Sequence, residues 1–372
     1  MPRFYSLSLV RSILSCREDF SFSVFSVARK RRNTEDTEFL RALRVKALEA
    51  QRTRRSSFGW WRPNRIVLSA ILLAVGTLTT LHAQTASVSI PAWIETNNCA
   101  LPPKFEAALN GKTVPVTAQL GPSSDQVILV VLDLTGDLSL IDAAKQALIA
   151  EISKLPQNAW VGLLRTQDGL HVLADPGAER QPLIDAIHSL SNSSEPGLLE
   201  TVQSALSLAD ALMRKSPVRV SVLYITDGSI YSYREDYTNP VINGSDPHDL
   251  SRRFPEALIT EKISKLVEDS GSLQAPLFVV HLNYRRDRLN AAYQNGLETL
   301  AEATGGRSDV CRSMAEIPEA ISGMFARISS AWRLTLAVPS KIHNNIQIHL
   351  SAPCSDGDLR ISWRTHFHPK EG

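Results

Sequence analysis

Hydrophobic and polar residues follow two different rhythms along this chain. Residues 127–132 (VILVVL) form a continuous run of β-branched and aliphatic side chains, the mark of a strand buried on both faces. From 138 to 155 the apolar positions recur at helical spacing, through Leu140, Ile141, Ala144, Leu148, Ile149 and Ile152. The alternation then repeats. Short apolar strands are expected at 160–164, 170–173, 218–225, 276–282 and 307–310, and helices at 180–190, 198–213, 250–269, 289–303 and 315–331. The Gly305-Gly306 pair supplies a left-handed helix stop. A polar, Tyr-rich stretch over 229–247 reads as a long loop. Strands alternating with helices of this length predict right-handed βαβ units. The fold class is therefore α/β: a doubly wound, mostly parallel sheet with helices on both faces, over residues 127–332.

The flanks change rhythm. Residues 84–126 read as a β-rich lead-in, with Asn110-Gly111 as a hairpin turn between two short alternating runs. Period-two alternation returns at 333–338, 345–352 and 359–367, a C-terminal β segment occupying 333–372. Both flank the α/β core, and they are expected to pair as one small β-module.

Charge divides the chain unevenly. Residues 1–65 hold 15 of the 40 Lys/Arg and 6 of the 38 Asp/Glu, so the rest carries a balance of −7. A net acidic folded part argues against nucleic acid as the partner, because phosphate binding needs a positive surface. The basic segment precedes a 16-residue apolar stretch, 66–81, trailed by Ala83-Gln84. A positive flank, a short apolar run and a small residue make a signal-peptide pattern, with cleavage after Ala83. The alternative is an uncleaved anchor, the only membrane contact expected, although the run is shorter than the roughly 20 residues a spanning helix wants. Either reading exports the chain from Gln84 onward, to the periplasm or the medium. Residues 1–83 are thus an N-terminal extension plus leader. The extension is too long for an ordinary leader, which suggests a downstream start, with Val45 as an alternative initiator; N-terminal sequencing of the native product decides this. Cys99, Cys311 and Cys354 lie beyond the leader, allowing one disulfide in three pairings, or three thiols.

Candidate chemistry concentrates where an open parallel sheet binds ligands, at the carboxyl ends of its strands. Asp133-Leu134-Thr135-Gly136-Asp137 comes after the first strand, and Thr226-Asp227-Gly228-Ser229 after the strand at 218–225. Carboxylates and hydroxyls converging there make a hard, oxygen-rich site suited to Mg²⁺ or Ca²⁺. Solvated loop ends and helix caps are the plainer reading of the same acids. Tyr231, Tyr233 and Tyr237 are either a contact patch above this edge or loop packing. Gly111-Lys112-Thr113 is a turn, not a phosphate loop, because Glu106 stands where the motif needs Gly. His366 and His368 share a strand face without a third ligand nearby, and Asn192-Ser193-Ser194 and Asn243-Gly244-Ser245 match glycosylation acceptors.

A hydrophobic strand ending in D-x-T-x-D, a helix, and a later strand ending in T-D-G together resemble the von Willebrand factor type A family over about residues 127–330. The flanking β segments also resemble those of bacterial exported members. The resemblance implies a metal ion-dependent adhesion site. In it Asp133 matches the first Asp, Thr135 the first hydroxyl and Asp227 the late Asp. Asp137 replaces the second hydroxyl, and Gly197 stands where the family has a Thr. It implies a binding module rather than an enzyme: an exported adhesion or scaffold domain that docks a protein partner of unknown identity, with divalent-cation dependence. A metal-independent structural envelope protein is the alternative, and a hydrolase on a similar sheet the more distant one. An aspartyl phosphatase would need a second Asp at 135, where Thr stands; neither a G-x-S-x-G elbow nor an H-E-x-x-H helix occurs, so no catalytic residue is assigned.

Overall fold

The computed structural model describes residues 86–97, 104–120, 126–191, 195–238, 255–338, 346–353 and 359–367. The leader, Cys99, Cys354, His368 and both glycosylation sequons lie outside these residues, as does the 239–247 part of the expected loop. Among the described residues no helix is long and apolar enough to cross a membrane.

Strands β1 (Ala86–Asn97), β2 (Glu106–Leu109), β3 (Lys112–Val114) and β4 (Val116–Leu120) open the described chain. The α/β core then runs β5 (Gln126–Asp133), α1 (Leu138–Lys154), β6 (Ala159–Arg165), β7 (His171–Gly177), α2 (Gln181–Ser189), α3 (Leu198–Lys215) and β8 (Arg219–Thr226). It continues through α4 (Pro255–Asp269), β9 (Leu277–His281), α5 (Arg288–Thr304), β10 (Arg307–Val310) and α6 (Ile317–Ser329). Four strands close the chain: β11 (Trp332–Val338), β12 (Ile346–Ser351), β13 (Leu359–Trp363) and β14 (His366–Phe367).

The six core strands form one sheet in the order β10-β9-β8-β5-β6-β7. Renumbered within the core this is 3-2-1-4-5-6, the doubly wound order, with its reversal between β5 and β8. All neighbours pair in parallel except β6 and β7. That exception has a simple cause. Five residues join β6 to β7, too few for a crossover, and the turn between them puts Asp168 and Gly169 at positive φ.

β5 shows why the fold needs two helical layers: all eight of its residues are buried. Ile128, Val130 and Leu132 face a cluster with Ile141, Leu148 and Ile152 of α1, Ile187 of α2 and Ile321 of α6. Val127, Leu129 and Val131 face the opposite cluster, with Leu206 of α3, Ile263 of α4 and Leu297 of α5. The helix expected from 250 is described from Pro255, and a 3₁₀ turn at Met314–Glu316 precedes α6.

The flanking segments merge into one β-sandwich. One sheet has the order β13-β1-β11-β4 and the other β14-β12-β2-β3, so both sheets combine strands from before and after the core, alternating in the first and meeting at the β12–β2 pair in the second. Asn110 and Gly111 both have positive φ, and this turn joins β2 to β3 as the Asn-Gly pair requires. β12 alternates strictly between buried and exposed positions. Its Ile346, Ile348 and Leu350 meet Ile90, Leu334 and Leu336 of the facing sheet.

Two side chains fasten the sandwich to the core. Trp93, on β1, sits in the core cluster edge-on to Phe278, with ring centroids 5.8 Å apart. Its Nε1–H donates to the Arg327 carbonyl at 2.8 Å, and the Arg327 guanidinium lies 5.0 Å over its ring. Arg364, only 2% exposed, donates to the carbonyls of Ser270, Gly271 and Leu273 just beyond α4. A cation there complements the negative end of the helix dipole. Burial pushes this guanidinium down to about 10, which leaves it charged at neutral pH. Replacing Trp93 with Ala is expected to cost about 3–5 kcal/mol, read as a lowered urea midpoint, because the cavity opens between two packed units.

Candidate functional site

The parallel register places the two acidic loops side by side. Asp133 pairs with Thr226 across β5 and β8, and the Asp227 N–H donates to the Asp133 carbonyl at 3.4 Å. Both carboxylates are buried, at 1% and 4% exposure. A buried charge must find donors, and each acid has found its own set.

Asp227 closes the first loop. Its Oδ1 accepts from the N–H and hydroxyl of Thr135 at 2.6 and 2.9 Å, and its Oδ2 from the N–H groups of Gly136 and Asp137 at 3.1 and 3.4 Å. The N–H groups leading into α1 thus point at an internal carboxylate, the partner that a helix N-terminus favours. Asp133 ties in two further loops. Its Oδ1 accepts from Thr166 Oγ1 at 2.6 Å and from the Gly197 N–H at 2.7 Å, and its Oδ2 from Thr226 Oγ1 at 2.8 Å. Burial nonetheless dominates, and it raises this carboxyl above the usual range against the pull of its three donors.

Asp137 behaves differently. It is exposed and caps α1, its Oδ1 accepting from the Ser139 N–H and hydroxyl at 3.0 and 2.5 Å, which hold its carboxyl below the usual range. Gly197 begins α3, packed under the site. A Cβ there would lie 2.7 Å from the Thr166 carbonyl oxygen and 2.9 Å from its Cβ, so this backbone has no room for the hydroxyl side chain that the family pattern carries.

The tyrosines separate. Tyr233 and Tyr237 are 7% and 3% exposed and belong to the core cluster over α3–α5, with the Tyr233 hydroxyl 2.8 Å from that of Tyr293. Of the two readings, loop packing describes Tyr233 and Tyr237, while Tyr231, in the 3₁₀ turn at Ile230–Ser232, is 56% exposed. Tyr231 donates its hydroxyl to Asp287 at the start of α5. Away from this edge, Cys311 is a buried, unbonded thiol that burial pushes up to about 12, and His366 is exposed.

Three residues of the network, Thr166, Asn290 and His281, lie outside the sequence motif, and a fourth, Thr226, is its T-D-G threonine. Thr166 and Thr226 supply the hydroxyls on Asp133. Asn290, 2% exposed, accepts at Oδ1 from the Ser229 hydroxyl and the Ile230 N–H, holding the loop after β8. His281 ends β9, its Nε2 2.9 Å from the Gly228 carbonyl, and burial lowers it to about 4. A His closing an apolar strand was the available signal for the last of these.

Mg²⁺ and Ca²⁺ take about six or more oxygen ligands. Here all four oxygens of Asp133 and Asp227 already face internal donors, and Asp137 is turned to Ser139. Gly197 brings an N–H where an oxygen is wanted. Among the described residues no group of three or more His, Cys, Asp or Glu is placed to hold a metal ion. The arrangement fits a self-satisfied hydrogen-bond cluster better than a coordination shell.

No protein-family model matches this chain, and no curated protein matches it. Solved structures resemble it at low identity. A von Willebrand factor type A protein from Catenulispora acidiphila is 14% identical over 75% of this chain and 76% of its own, with a TM-score of 0.40. The ArnB paralog VWA2 from Sulfolobus acidocaldarius is 9% identical over 77% of each chain, with a TM-score of 0.38. The PilB minor pilin from Streptococcus sanguinis is 12% identical over 56% of this chain and 61% of its own, with a TM-score of 0.38. Scores this low add description only; the α/β fold rests on the strand order of the six-stranded sheet.

The geometry predicts two outcomes. Gly197→Thr is expected to destabilise by about 1–3 kcal/mol in chemical denaturation, since the added atoms overpack against Thr166. Acid should also act through His281, whose imidazole is neutral when folded at pH values where the unfolded chain is protonated. Its contribution is complete above the ordinary His value near 6.5 and is lost as pH falls from there to about 4. Stability measured against pH should show this slope in the parent and lack it in His281→Gln.

Proposed function

We propose that this chain is an exported, non-enzymatic protein-binding module of the von Willebrand factor type A kind that works without a divalent cation. The supporting observation is the double closure of the site. Asp227 takes every N–H from Thr135 to Asp137, and Asp133 takes donors from the loop after β6, the end of β8 and the start of α3. Four segments that a cation would otherwise organise are organised by two carboxylates.

The partner would meet the rim of this edge. Leu138 and Tyr231 are exposed there at 64% and 56%, on the two segments joined through Asp227. Arg234 braces the same rim through ion pairs to Glu195 and Asp168. An apolar and an aromatic side chain on a rigid frame suit a protein surface, with little ordering entropy left to lose on binding. Export rests on the leader pattern at 66–84.

The cation-dependent reading makes the opposite demand on stability. A ligand that binds only the native state raises the melting temperature. Saturating Mg²⁺, Mn²⁺ or Ca²⁺ is expected to leave the melting temperature where chelator leaves it, in the parent and in Asp133→Asn alike. A cation-induced rise in the parent that Asp133→Asn abolishes would overturn the proposal.

A further inference from the structure

At the opposite end of β8 from Asp227 the sandwich meets the core around a small cavity of about 40 Å³ whose walls are mostly apolar, Ile90, Val220, Ile328 and Trp332 among them. Arg219 of β8 and Arg333 of β11 both line it, with Gln126, Ser221, Gln274 and Ser89. None of its lining residues is an Asp or Glu. The carboxylate tied to this wall, Asp210, is engaged elsewhere: it accepts from the Gln274 N–H and pairs with Arg214 at 2.8 Å.

The two guanidinium groups are only partly used. Arg219 donates through Nη1 to the Ala331 carbonyl at 2.8 Å, but its Nε and Nη2 are buried without a hydrogen-bond partner. Arg333 donates through Nε to Ser89 Oγ at 2.9 Å. Burial depresses both groups, and Arg219 also feels the charge of Arg333. Like charges in a partly dry seam repel more strongly than in water, and unmet N–H donors add to that cost.

We propose that this cavity binds one small inorganic anion of about chloride size, held between the guanidinium groups of Arg219 and Arg333. The anion meets both charges at once and accepts from the unmet Arg219 donors. The space suits it: a water needs at least 10–15 Å³ of such volume, so about 40 Å³ admits a halide with a water or two. Gln126, 2% exposed, donates through Nε2 to the Ile328 carbonyl while its Oε1 lacks a partner. A water beside the anion donates to that oxygen. Because Arg219 belongs to the core and Arg333 to the sandwich, the anion is a bond across the seam, and its site is independent of the Asp133 and Asp227 loops.

Crystals of the protein grown in bromide test this directly. An anomalous peak within hydrogen-bonding distance of Arg219 is expected, and density for water alone overturns the proposal. In solution, the melting temperature should be higher by about 2 °C or more in chloride than in gluconate at equal ionic strength. Arg219→Gln and Arg333→Gln should each abolish that difference. A chloride effect that survives both substitutions overturns the proposal, as does no effect in the parent.

Discussion

Two carboxylates shut away from water govern how this edge of the protein is built. An ionised acid at 1% or 4% exposure is tolerated only if donors replace its lost hydration, and unmade bonds would cost several kcal/mol per group. Asp133 and Asp227 cannot meet that requirement from their own loops. They draw on segments up to 93 residues away in sequence, so the loops after β5, β6 and β8 and the start of α3 must converge for either acid to be stable. Loop order here comes from charge burial.

Topology makes the convergence possible. The sheet order reverses between β5 and β8, so the chain leaves these two neighbouring strands in opposite directions and opens a crevice above them. In many doubly wound proteins that crevice admits a ligand. Here the Asp227 carboxylate fills the position in front of α1 where an external anion would sit, and Gly197 is packed too closely on Thr166 to extend a side chain into the space. The edge is finished as a surface rather than left as a socket, and Leu138 and Tyr231 are the large apolar side chains exposed on it.

Local signals carried most of the architecture. The VILVVL run, the helical spacing of the apolar positions in α1, the Asn-Gly turn and the Gly305 stop each act within one element, and each element formed where its own chemistry put it. The antiparallel β7 was less visible, since its apolar run resembles that of a parallel strand and only the short link to β6 distinguishes the two. Side chains joined through space were less legible still. Thr166 and Arg364 owe their roles to partners 33 and more than 90 residues distant, and nothing in their neighbourhoods marks them. Tyr233 and Tyr237 were ambiguous for a related reason: a polar loop hides which of its rings turn inward until the helices beneath it are placed.

The sandwich also bears on the site, although it lies at the far end of the sheet. Strand β8 carries Arg219 at its start and leads to Asp227 just past its end, and the strands on either side of it are buried along their full length. A close-packed sheet of this kind transmits displacement rather than absorbing it. Trp93 wedged against Phe278, and Arg364 holding the carbonyls beyond α4, fix the sandwich to the two faces of that sheet. A load applied to the sandwich is therefore passed to the core through rigid contacts on both sides. The interleaving of segments from before and after the core means that neither β sheet can detach by itself. Assembled in this way, the β-sandwich and the loops after β5 and β8 keep a fixed orientation to one another.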